Sequence, residues 1–166
     1  MRATALLPPP NMEANAMRNP ARLLTTLLFL AVAAGPAASE MAGRIYKSAT
    51  CGCCSAWVKH MRANGFTLKE LDVANGELAR RKTEAGIRPE HASCHTAIIG
   101  GYAIEGHVPA GDVARLLKER PEAVGLAVPG MPIGSPGMES GETREPFEVL
   151  LVKKDGTAEV FARHNQ

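Results

Sequence analysis

From residue 44 onward the apolar positions change period several times, and each change marks an element. Arg44 to Ser48 reads as a short strand, followed by a turn over Thr50 to Cys54. Cys54, Trp57, Val58 and Met61 then recur at the i, i+3, i+4, i+7 spacing of a helix with one buried face, and Asn64-Gly65 supplies its stop. Over residues 66–73, Phe66 and Leu68 are out of phase with Leu71 and Val73, which predicts a strand with a bulge. Asn75 is placed to cap a second helix, Gly76 to Ala85, ended by Gly86. Residues 95–99 and 102–107 flank Gly100-Gly101, a two-residue hairpin turn, because glycine alone enters the positive-φ region without cost. A third helix follows, capped by Asp112, with Val113, Leu116 and Leu117 on one face and Pro121 as its end.

Residues 125–146 hold five glycines and four prolines, too many for regular structure. A loop of that length inside a compact domain usually has a function. Phe147 to Val152 and Thr157 to Arg163 then alternate around Asp155-Gly156 as a hairpin. The whole order predicts an α/β fold of the thioredoxin-like (glutaredoxin-like) kind, a β-α-β-α-β-β-α core with a C-terminal β-hairpin. In that layout the first strand runs into a cysteine-bearing turn at a helix N-terminus.

The N-terminal pattern differs from all of this. Residues 23–34 are a 12-residue apolar run, preceded by Arg18 and Arg22 and followed by small residues up to Ser39. This is the layout of a secretory signal peptide, and the run falls short of the roughly 20 apolar residues that a membrane-crossing helix needs. The expected division is therefore a signal peptide over 1–39, cut before Glu40, and one domain over 40–166. Pro8-Pro9-Pro10 makes a poor signal start, so Met17 is the better candidate for the initiating residue. No cysteine lies near the cut, which disfavours a lipid anchor, and no Arg-Arg pair precedes the run, so export in the unfolded state to the periplasm is expected.

Composition adds two exclusions. The 166 residues are 45% hydrophobic and 22% charged, which is ordinary for a globular protein and wrong for a disordered tail. Arg2, Arg18 and Arg22 against Glu13 account for the whole formal charge of +2, so residues 40–166 are neutral. A neutral domain with one Trp and two Tyr offers no electrostatic footprint for nucleic acid or, once the signal is removed, for a membrane surface.

All four cysteines lie between residues 51 and 94, three of them in Cys51-Gly52-Cys53-Cys54. Where a strand ends and a helix begins, unpaired backbone N–H groups and the positive end of the helix dipole favour thiolate over thiol. Export to an oxidising compartment means that such thiols pair, bind metal or are kept reduced. Three readings follow. Structural disulfides allow three pairings, but a bridge between residues three apart closes only a small loop. A Cys-x-x-Cys redox pair would use Cys51 as nucleophile and Cys54 as its partner, with Cys53 as a competing thiol. A soft-metal site would join Cys51, Cys53 and Cys54 with Cys94, because the loop before the third strand abuts the first helix N-terminus in a thioredoxin-like layout, and thiolates select Cu(I). Zinc is a weaker option, since its usual paired ligand spacings are missing.

Several separated motifs occur in one order: Cys51-Gly52-Cys53-Cys54-x-x-Trp57-x-x-His60-Met61, Ser93-Cys94-His95-Thr96, Gly106-His107-Val108-Pro109, Val128-Pro129-Gly130-Met131-Pro132 and Gly134-Ser135-Pro136-Gly137-Met138-Glu139. Over roughly residues 44–163 they resemble the CopG-type copper-resistance proteins, small exported proteins of Gram-negative bacteria distinct from the plasmid repressor of that name. The resemblance implies a thioredoxin-like fold and a copper cluster bridged by the cysteines, with redox-linked metal handling. It leaves the non-cysteine ligands open.

Among those, His107 ends the second hairpin strand near the cysteine turn and is a candidate ligand or a supporting residue. His95 is disfavoured, since in a regular strand neighbouring side chains point to opposite faces and Cys94 and His95 would not share a site. His60, nearly two turns beyond Cys54, reads as a packed histidine. His91 and His164 have only their positions to recommend them. A lone Met is more often core filler than ligand, but Met131 and Met138 share one loop with no helical or strand period, which makes thioether ligands carried on a flap an equal alternative. Trp57 and Met61 belong to the core beneath the site, and Glu105 is placed to orient a histidine. The sequence thus predicts a periplasmic protein that holds Cu(I), as one or several ions, through Cys51, Cys53, Cys54 and Cys94, with His107, Met131 and Met138 as further candidates. Its partners would be metal ions and other exported copper-handling proteins. The rival is a thiol-disulfide oxidoreductase using Cys51 and Cys54.

Overall fold

The computed structural model describes residues 41–166, so the expected signal peptide, its cleavage point and the start at Met17 lie outside the described residues. One seven-stranded mixed sheet organises the described chain, in the order β2-β1-β3-β4-β5-β6-β7. The strands are β1 (Ala42–Lys47), β2 (Thr67–Asp72), β3 (Thr96–Ile99), β4 (Tyr102–Glu105), β5 (Gly125–Ala127), β6 (Phe147–Val152) and β7 (Ala158–His164). The helices are α1 (Gly52–Ala63), α2 (Asn75–Glu84) and α3 (Ala110–Glu119). β1 pairs parallel with β2 and antiparallel with β3, and β3 pairs antiparallel with β4. This is the thioredoxin-like core that the element order predicts.

The apolar stripe of α1 explains where the core sits. Trp57, Val58 and Met61 are fully buried and join Ile45, Ala97, Ile99 and Ile104 from the sheet and Val113, Leu116 and Leu117 from α3. α1 and α3 therefore cover one face. Helix α2 is polar, buries only Leu78 and carries ion pairs from Glu77 to Arg80 and Arg81. It covers the other face, where the Arg81 guanidinium lies 5.1 Å from the centre of the Tyr46 ring.

Several local expectations change. Residues 67–72 pair with 42–47 in unbroken register, so the predicted bulge is absent there. Leu68 belongs to the α1 side of the core, whereas Leu71 sits opposite Tyr46, on the α2 side. The broken alternation records a strand covered on both faces. Asn75 is the first helical residue rather than the cap, which is Ala74, and Pro109 rather than Asp112 precedes α3. Asp112 instead holds His164 Nε2 at 2.7 Å.

The Gly/Pro-rich segment begins with structure. Gly125–Ala127 is a fully buried strand, parallel to β4 and antiparallel to β6, and it joins the C-terminal hairpin to the main sheet. Only glycine fits at 125, because a Cβ there would meet the carbonyl oxygen of Ala103 at 1.8 Å. The irregular loop is thus 128–146. A register shift does occur, at Val149/Leu150 within the last hairpin.

Candidate metal centre

The strand β1 delivers the chain to the N-terminus of α1, whose cap is Cys51. Its Sγ lies 3.3 Å from the Cys54 N–H, one of the unpaired donors of the first helical turn. Cys53 and Cys54 belong to that same turn, Cys54 facing inward and fully buried. Cys51 and Cys54 are joined as a disulfide, and Cys53 and Cys94 are free thiols. Cys53 Sγ stands 3.5 Å from Cys51 Sγ.

Cys94 arrives from forty residues away, on the turn before β3. The sulfurs of Cys51, Cys53, Cys54 and Cys94 all lie within 4.8 Å of one another. In the oxidised state two of them are tied up with each other, so the set becomes a four-thiolate site only when that bridge is reduced. The Cys94 thiol is pushed up to about 12, first by burial and then by the neighbouring Cys53. It therefore stays protonated at neutral pH, and a metal binding there would have to displace the proton.

His107 flanks the same sulfur, its Nε2 3.0 Å from Cys94 Sγ. Its Nδ1 is 2.8 Å from the Pro136 carbonyl, which can only accept, so Nδ1 carries the proton and Nε2 presents its lone pair to the site. Burial lowers the His107 pKa, which keeps the ring neutral and suited to ligation.

His95 is where the structure corrects the sequence. Its Nδ1 lies 3.4 Å from Cys94 Sγ, and Cys94, His95 and His107 form a second set of donor atoms within 4.8 Å. The strand starts only at Thr96 and the chain bends at Cys94, so the pleat that would send the two side chains apart is not yet established. The His95 ring is fully buried, 4.5 Å from the Trp57 ring, and burial holds its pKa well below the ordinary histidine range. Its Nε2 has no hydrogen-bond partner among the described residues. A buried neutral imidazole whose Nδ1 stands beside a sulfur donor suits a soft cation.

The other histidines serve the scaffold. His60 Nε2 accepts the Ala110 N–H at the start of α3, at 3.1 Å, and His164 stacks on Phe147. His91 is buried in the 3-10 turn 89–91, its Nε2 without a hydrogen-bond partner among the described residues.

The loop 128–146 closes over both cysteine-bearing turns. Ser93 Oγ donates to the Gly130 carbonyl, Gly130 N–H reaches Ala92 O at 3.4 Å, and Pro136 takes the His107 bond. At Gly137, with φ +86°, a Cβ would lie 2.7 Å from both Cys53 O and Trp57 N, so the loop backbone rests directly on α1. Met138 follows that contact and is partly buried, whereas Met131 is 50% exposed. The distances thus unite the four cysteines with His107 and His95.

Glu105 makes no hydrogen bond to a histidine among the described residues, the direct contact by which the sequence would have it orient one. It is fully buried on β4, where it accepts bonds from Lys82 Nζ and the Ser93 N–H, each at 2.5 Å, and from Thr96 Oγ1 at 2.6 Å. Burial raises its pKa, opposed chiefly by the Lys82 charge. Lys47, a buried lysine, is paired with Asp72 at 2.7 Å. No spacing in the sequence signals either pairing, because each partner sits on a different element.

Residues 91–138 match a family described as a protein of unknown function, DUF411. None of the curated proteins matches the chain. Two solved structures of copper resistance protein copG are similar to it. Form 1 has a TM-score of 0.71 at 42% identity, covering 75% of this chain and 98% of that one. Form 2 has a TM-score of 0.69 at 42% identity, covering 74% and 97%.

Proposed function

The chain belongs to the CopG-type family of copper resistance proteins, and on that premise we propose that it holds copper as Cu(I) in the periplasm, where it sequesters the ion for copper resistance. The thiolates of Cys51, Cys53, Cys54 and Cys94 bind the ion, with His107 Nε2 and His95 Nδ1 at the Cys94 side and the thioethers of Met131 and Met138 as further donors. Thiolates bridge Cu(I), so four sulfurs at one corner can hold several ions. The apolar run at 23–34 directs export, and other exported copper-handling proteins give or take the metal.

One observation carries the reading. The Cys94 sulfur, separated by forty residues from Cys54, lies within 4.8 Å of the three sulfurs at the α1 N-terminus, with a neutral histidine beside it. Loading requires an external dithiol reductant, which opens the Cys51–Cys54 bridge to two thiols and is itself oxidised to a disulfide, and release of the thiol protons, after which metal binding would hold the sulfurs as thiolates. An anaerobic Cu(I) titration of the reduced protein against a competing chelator tests this. Tight binding of one or more ions, lost or reduced in stoichiometry by Cys53→Ser and by Cys94→Ser, is expected. No binding above the chelator would refute it.

The disulfide between Cys51 and Cys54 at a helix N-terminus supports a second reading, a thiol-disulfide oxidoreductase with Cys51 as nucleophile. Cys53, 3.5 Å from Cys51, is a competing thiol for any mixed disulfide. A Cys53→Ser variant that reduces insulin disulfides at full rate without binding Cu(I) would favour this alternative.

A further inference from the structure

We infer that Glu105 is the positioning residue for the second half of the site: its carboxylate fixes where Cys94 and His95 stand relative to His107 and the α1 sulfurs. The turn that carries Cys94 precedes β3, which begins at Thr96, and its link to β4 is the Gly106 N–H, which donates to the His95 carbonyl at 3.1 Å. Residues 93 and 94 lie beyond that bond and need a further hold. Glu105 takes the Ser93 N–H on Oε1 and the Thr96 hydroxyl on Oε2, the two residues that bracket Cys94 and His95. Its own chain reaches His107 two residues later. One side chain therefore sets three donor groups in register.

Lys82 completes the arrangement from α2, reaching both Glu105 Oε1 and Thr96 Oγ1. A fully buried carboxylate paired with a lysine is not an efficient way to stabilise a fold, because desolvation offsets most of the attraction. An apolar pair in the same place often gives equal or greater stability. Here the carboxylate does what an apolar pair could not, in gripping a backbone N–H next to a sulfur donor. On its far side Ser93 is tied to Gly130 of the covering loop, so the turn is held between sheet and loop.

The inference rests on the copper reading only for its second readout, and two variants test it. Lys82→Met with Glu105→Leu replaces the ion pair by apolar groups, and Glu105→Gln keeps the shape while losing the charge. Folding is checked by circular dichroism. The first readout needs no metal. In the oxidised protein Cys53 and Cys94 are the free thiols, and alkylation of Cys94 followed by mass spectrometry should accelerate several-fold in both variants while Cys53 keeps its rate. The second is Cu(I) affinity of the reduced protein, expected to fall about 10–100-fold, as for loss of a residue that orients a ligand. That loss should shrink in a Cys94→Ser background, since Cys94 is one of the donors that Glu105 places. A folded variant whose Cys94 alkylates at the wild-type rate overturns the inference. Failure of the wild type to bind Cu(I) instead overturns the copper reading and leaves the alkylation result to decide the role of Glu105.

Discussion

His107 presents Nε2 to Cys94 Sγ at 3.0 Å because its other nitrogen is committed to the Pro136 carbonyl. The loop thus selects the tautomer that the sulfur site uses. Replacing His107 by Gln should weaken Cu(I) binding by about tenfold or more. Phe at position 95 fills the same space against Trp57, so His95→Phe should keep the melting temperature while still lowering Cu(I) affinity. Chelator competition and thermal melts on the two variants check this. Wild-type affinity in His95→Phe would remove His95 from the donor set.

The Cys51–Cys54 bridge makes the site redox-dependent. In the oxidised protein, thiol titration should find two reactive groups per chain, from Cys53 and Cys94. Cu(I) capacity should then be lower than in protein reduced beforehand, and reductant should restore it. Equal capacity in both states would show that the bridge does not gate loading.

Gly137 and Gly130 both have positive φ, at 86° and 70°, yet they differ in surroundings. A Cβ at 137 meets α1 backbone at 2.7 Å, whereas at 130 nothing lies within 4 Å. Gly130→Ala should cost about 1 kcal/mol from backbone strain alone. Gly137→Ala should cost more, about 2–4 kcal/mol, because the loop must lift from Cys53 and Trp57. Urea unfolding measures the difference. A faster transfer of bound Cu(I) to chelator in the Gly137 variant is the functional counterpart.

Stability should also depend on pH through His60. Burial lowers its pKa below the ordinary value of 6.5, and its Nε2 accepts the Ala110 N–H only when unprotonated. The unfolded chain therefore binds more protons than the folded one between the folded pKa and 6.5. The contribution is complete above pH 6.5 and is lost as pH falls from there through the folded pKa. Gln at position 60 can still accept the Ala110 bond but does not titrate. His60→Gln should flatten the decline of the urea midpoint between about pH 7 and pH 5 relative to wild type. Parallel declines would mean that other groups carry the acid sensitivity.

Much of this architecture is legible from spacing. Cys54, Trp57, Val58 and Met61 announce α1 because one buried face imposes a 3.6-residue period, and the element order then places Cys94 against the helix N-terminus. The features that escape are those set by partners remote in sequence. Strand β5 has three residues and pairs on both sides, so its glycine reads as loop until Ala103 is seen against it. His95 looks misdirected because a bend of the backbone at Cys94 has no signature in residue type. Asp112 resembles a helix cap, but its carboxylate is taken by His164 from the last strand. Glu105 looks like a hairpin charge, and only the packing of α2 on the sheet reveals its lysine.

The segment roofing the sulfur atoms leaves the sheet at Ala127 and re-enters at Phe147, and its two feet stand on adjacent strands, with Ala127 opposite Leu150. The sheet itself keeps those feet together, whatever spans the gap between them. Even doubling the span would add only about 0.6 kcal/mol of closure entropy. Changes in the length of this one hoop therefore leave the pairing of Ala127 with Leu150 in place, and the covering can vary while its anchorage does not.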